Sequence, residues 1–135
     1  MLDSGLPDTV DDREDLARFL TSSNYFNLTS VRAAAFLPSP KDRETSVFRH
    51  GSEPADQLWS IGRQNLGSQK LHGAAIVKAA DVRATLLEVV ADEPPHRHAA
   101  IRNWPQFGAD PEQQKAQQKE RALQIASKAV LLKQA

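Results

Sequence analysis

The chain has 135 residues, 25% of them charged and 40% hydrophobic, with eight prolines, no cysteine, and 17 basic side chains balanced by 17 acidic ones. That length suits one domain, and zero net charge removes the global field that gathers polyanions or anionic lipid, so nucleic acid is a disfavoured partner. Without cysteine there are no disulfides, thiolate zinc sites or thiol nucleophiles, and without a signal-peptide pattern or 18 consecutive apolar residues the expectation is a soluble, cytoplasmic protein with no membrane segment.

The opening residues scatter Asp3, Asp8, Asp11 and Asp12 among Gly5 and Pro7 with no helical or strand period. This predicts a flexible acidic arm over 1–12, ahead of a single domain over 13–135. In "DREDLARFLTSS", Leu16, Phe19 and Leu20 follow at three- and four-residue spacing behind an acidic first turn, which predicts a short amphipathic helix, with a strand as the alternative for so short a run. "SVRAAAFLP" and "ETSVFRH" predict two strands joined by the proline-broken loop "PSPKDR".

"SEPADQLWSIGRQNLG" predicts the short central helix, capped by Ser52 or Glu53, with Pro54 in its first turn and Gly67 as its terminator. Leu58, Trp59, Ile61 and Leu66 form its buried side. "KLHGAAIV" and "LLEVVADE" predict strands around a turn or two of helix in "KAADVRAT", and "HRHAAIR" predicts another strand. Asp110 and Pro111 then open a long C-terminal helix over about 110–133. Its later half carries the apolar stripe Ala122, Ile125, Ala126, Ala129 and Leu132, whereas Gln113 to Arg121 is polar nearly all round. Short connections without βαβα alternation give the class α+β, with a small, mainly antiparallel sheet.

No stretch carries a motif of specific chemistry. Gly51, Gly62, Gly67 and Gly73 form neither a phosphate loop nor a dinucleotide fingerprint, and no serine sits in a nucleophile elbow. The densest candidate is "DEPPHRHAAIRNWP". In an extended segment, His96, His98 and Arg102 share one face. Two such imidazoles need a third ligand to hold a metal, and Asp92, Glu93, His72 and His50 show no diagnostic spacing, so no metal ligand and no cofactor is assigned.

Two functional expectations follow. The first is a small interaction or accessory module that binds a protein partner through the acidic arm and the half-polar C-terminal helix. The second is a small enzyme of phosphoryl or ribosyl transfer, or phosphodiester hydrolysis, with or without a metal ion, with Arg49, His72, His96 and His98 as candidate catalytic residues around one cleft. Arg102 and Trp104 are the candidate binding residues, although a tryptophan near an element end ordinarily packs a core edge. The sequence does not decide between module and enzyme, and oligomeric state is equally open.

Overall fold

The computed structural model describes residues 2, 4–49, 54–106 and 110–133. Among these residues six strands form one sheet: β1 (Asp15–Leu20), β2 (Thr45–Arg49), β3 (Gly73–Lys78), β4 (Glu88–Ala91), β5 (His98–Arg102) and β6 (Val130–Lys133). They lie in the order β4-β5-β2-β1-β3-β6, with every neighbouring pair antiparallel. Three α-helices accompany them among the described residues: α1 (Ala55–Leu66), α2 (Ala79–Arg83) and α3 (Pro111–Lys128). This is the α+β class with the long C-terminal helix that the sequence predicts.

The sheet is covered on both faces, which explains its sequence. Leu16, Leu20, Val47, Val77 and Ile101 point to one side and pack with Val82 of α2, Ile125 of α3 and Phe36 of the 3₁₀ turn Ala33–Phe36. Ala17, Phe19, Phe48 and Ala74 point to the other, under Leu58 and Trp59 of α1, with Ile61 and Leu66 alongside. The central strands β1 and β3 therefore alternate largely between two apolar environments rather than between core and water. Gly62 lets α1 approach closely, since a β-carbon there would stand 2.9 Å from the Phe19 ring and 3.0 Å from Leu71.

Three predicted elements are corrected. "DLARFL" is β1, not a helix, because its apolar residues divide between the two cores. "SVRAAAFLP" is not a strand: Val31 makes one isolated bridge to Phe26, and Ala33–Phe36 wind into a 3₁₀ turn that packs Ala35 and Phe36 beneath α3. The C-terminal helix stops at Lys128; Ala129 turns extended, and β6 returns to pair with β3. The α3 start agrees with its sequence signal, for the Asp110 side chain accepts from the Gln113 amide at 3.0 Å and Pro111 opens the first turn. At α1 the residue before the helix is Pro54, which provides no side-chain cap, and the predicted caps Ser52 and Glu53 lie outside the described residues.

The acidic N-terminal segment has neither helix nor strand over its described part, and it is anchored to the sheet. Val10 is buried among core residues, and the Arg49 guanidinium donates to the Pro7 carbonyl at 2.7 Å. No helix among the described residues is long and apolar enough to cross a membrane.

Candidate functional site

Arg49, the first candidate catalytic residue, is 0% exposed and serves the fold. It lies opposite Leu16, on the α3 side of the sheet, where it meets Glu14 at two points. Its backbone amide donates to Arg97 O, and its carbonyl accepts from Arg97 Nε, both at 2.8 Å. The adjacent Phe48 faces the α1 side and touches the His98 ring at 5.3 Å, so Arg49 and His98 occupy opposite faces of the sheet.

His98 opens β5 and stands opposite Phe48. Its Nδ1 is 2.9 Å from the Asp92 carbonyl and 3.4 Å from Asp92 Oδ2; both are acceptors, so Nδ1 carries a proton in either charge state and Nε2 is the nitrogen left for other partners. Arg102 shares that face and pairs with Glu44, with Asp92 Oδ1 at 3.7 Å. Asp92 thus bridges His98 and Arg102, the portion of the sequence motif that the fold brings together.

The other candidates lie apart. His96 is exposed in a turn, where Arg97 takes φ 66° and the His98 amide donates to Pro95 O at 3.0 Å; this breaks the alternation expected to align His96 with His98. His72 precedes β3 and stacks on Phe26 at 5.5 Å. The row His98, Phe48, Ala17, Ile76 crosses the sheet, which leaves His72 three strands over and four residues along, roughly 20 Å from His98 by strand spacing and rise. Trp104 is buried, its indole N–H donating to Ile101 O at 3.2 Å, so it packs the core. His50 lies outside the described residues. No group of three or more potential metal ligands gathers among the described residues.

Two of the concavities have a cation and no carboxylate in their lining among the described residues. One, of about 460 Å³, opens beside the last turn of α1 and is lined by Arg18, Tyr25, Ser46, Phe48, Asn65, Gln69 and His98. Arg18 is the residue that sequence reasoning missed. Among the described residues β1 and β2 pair only at Leu16↔Arg49 and Ala17↔Phe48, and Arg18 fills the split beyond Ala17, donating from Nε to Ala35 O at 2.7 Å and from Nη1 to Ser46 O at 3.0 Å. Burial lowers its pKa below the usual arginine value, only partly opposed by Tyr25. The signal available in sequence was a lone arginine inside the apolar run "LARFL".

The second, a groove of about 690 Å³, lies between the loop after the 3₁₀ turn and the polar half of α3. Ala33, Ala34, Leu37, Pro38 and Pro40 supply an apolar wall, and Arg43, Lys115 and Lys119 supply cations. No carboxylate lines it among the described residues. Lys115 and Lys119, four residues apart on one helix face, present their charges together. Comparison of the chain with known protein families, with curated proteins and with solved structures finds no match.

Proposed function

We propose that this protein is an interaction module that holds an acidic, apolar-anchored segment of a protein partner in the groove between the Pro38–Pro40 loop and α3. The observation that carries this reading is the lining itself: an apolar wall on the loop side, with Arg43 beside it and Lys115 and Lys119 on α3. A groove of that character favours a peptide that inserts one large apolar side chain and places carboxylates on the basic rim. The N-terminal carboxylates are poor candidates for partner contact, because they are engaged internally: Asp12 with Arg83, Glu14 with Arg49 and Asp15 with Lys78.

The small-enzyme reading has less support. It needs its arginine and histidines around one cleft, whereas Arg49 and His98 face opposite sides of the sheet and His96 sits in an exposed turn.

Fluorescence anisotropy tests the module reading, with labelled peptides that carry one leucine or phenylalanine among aspartates and glutamates, compared with peptides whose acids are replaced by serine. The acidic set should bind, with affinity falling as salt rises, and Lys115→Glu with Lys119→Glu should weaken it roughly tenfold or more. Equal binding of the serine set, or indifference to the double charge reversal, overturns the proposal.

A further inference from the structure

On the other face of the sheet, the cavity beside α1 has the makings of a small-molecule site. Its volume, about 460 Å³, lies within the usual range for such pockets and exceeds what one aromatic acid requires. Phe19 and Phe48 lie tilted against each other with ring centroids 5.3 Å apart, and Phe48 meets the His98 ring at 5.3 Å edge-on, so a row of aromatic rings runs across β1, β2 and β5. Tyr25 closes one side, and Asn65 and Gln69 place amide side chains at the rim.

The charge at this site is Arg18. A guanidinium has five N–H donors; here Nε and Nη1 each serve one backbone carbonyl, and Nη2 has no partner among the described residues. No carboxylate pairs with Arg18 among those residues, in contrast to Arg49, Arg83 and Arg102, which all have one. Arg18 is partly buried and lacks a carboxylate partner among the described residues, so an anion in the cavity gains charge-assisted hydrogen bonds from it. The nearby C-terminal turn of α1 opposes an anion only weakly, since its Leu66 carbonyl already accepts from the Gln69 amide at 3.0 Å.

We propose that the cavity binds a small aromatic monocarboxylate, with its carboxylate on Arg18 and its ring against Phe48. One cation matches one negative charge, and the row of rings matches a planar apolar body. The site is separate from the α3 groove, so the two proposals stand or fall independently.

Fluorine NMR with 4-fluorophenylacetate as the probe, and neutral 4-fluorobenzyl alcohol as its control, decides the matter on the full chain. The expected result is saturable binding of the acid, a shift of the Arg18 guanidinium resonances in a parallel proton–nitrogen spectrum, and roughly tenfold weaker binding of the alcohol. Arg18→Gln should weaken the acid by a similar factor. Because Arg18 also joins β2 to the 3₁₀ turn, Asn65→Phe provides the second variant: it fills the cavity from an exposed helical position and should abolish binding with the fold intact. Absence of saturable binding, equal affinity for acid and alcohol, or unimpaired binding to Asn65→Phe overturns the proposal.

Discussion

Glu14 and Arg49 form a two-point ion pair at the end of β2, with Nε to Oε1 at 2.7 Å and Nη2 to Oε2 at 2.9 Å. The guanidinium is fully buried, while the carboxylate keeps 17% of its side-chain surface in water. Removing the carboxylate leaves a buried charge uncompensated, which in comparable sites costs roughly 3–5 kcal/mol. Glu14→Gln retains one hydrogen-bond acceptor, so a loss of about 3 kcal/mol is expected from urea unfolding. Combining Glu14→Leu with Arg49→Met should cost less than the sum of the two single changes. A Glu14→Gln protein as stable as the parent would show that Arg49 draws its compensation from elsewhere.

Acid should destabilise the fold through the same pair. At Glu14, burial raises the carboxyl pKa, but the Arg49 hydrogen bond and the Asp11 amide outweigh it and hold the group below the usual range. Glu88 is lowered as well, chiefly by its hydrogen bond to Arg83. A folded-state pKa below the unfolded one gives stability that is fully present above the unfolded value, about 4.3 for glutamate, and is lost as pH falls through the folded value. Unfolding free energy should therefore decline below about pH 4, and the gap between parent and Glu14→Gln should narrow over the same window. A gap that stays constant down to pH 2 would be the wrong sign of this coupling.

Leu86 offers a gain. It joins α2 to β4 with φ 69° and is 76% exposed, so it occupies the left-handed region with little packing in return. That conformation costs a side-chain-bearing residue roughly 1–2 kcal/mol. Leu86→Gly is expected to raise stability by about 1 kcal/mol, seen as a higher Tm in calorimetry. An unchanged or lower Tm would mean that the leucine packs better in solution than its exposure indicates.

Gly73 makes the converse case. A β-carbon there would lie 2.4 Å from the Leu132 carbonyl oxygen and 3.1 Å from the Lys133 α-carbon, both backbone atoms of the neighbouring strand. Gly73→Ala should push β6 away and cost roughly 1–3 kcal/mol. Hydrogen exchange checks it: amide protection in β6 should drop while that in β5 persists. Retained protection in β6 would show that the strands can part enough to admit a methyl group.

The residues also explain how much could be read from sequence. Strands β2 to β5, both shorter helices and the α3 cap were legible because each has a boundary signal or a β-branched run at the expected place. β1 was not, because a sheet covered on both faces erases polar alternation and leaves Leu16, Phe19 and Leu20 at spacings that also suit a helix. β6 was hidden because Leu132 continues the helical stripe of Ala122, Ile125 and Ala129, and no glycine or proline marks the stop at Lys128. In the candidate site, alternation foretold the shared face of His98 and Arg102, but it carried His96 along with them across a turn. Arg18 was missed because its role depends on where β1 and β2 separate, which is a tertiary fact.

The strand order also governs how this chain reaches its native state. β1 pairs with β2 and β3, β2 reaches across to β5, and α3 covers the 3₁₀ turn Ala33–Phe36 before β6 closes against β3. Partners so distant in sequence place folding toward the millisecond-to-second regime of topologies with few local contacts. During synthesis, the sheet face carrying Leu16, Val47 and Val77 lacks the cover of α3 until Ile125 leaves the ribosome. A chain extended only as far as α2 thus exposes part of that apolar face, a natural client for a chaperone and a seed for aggregation where none is at hand.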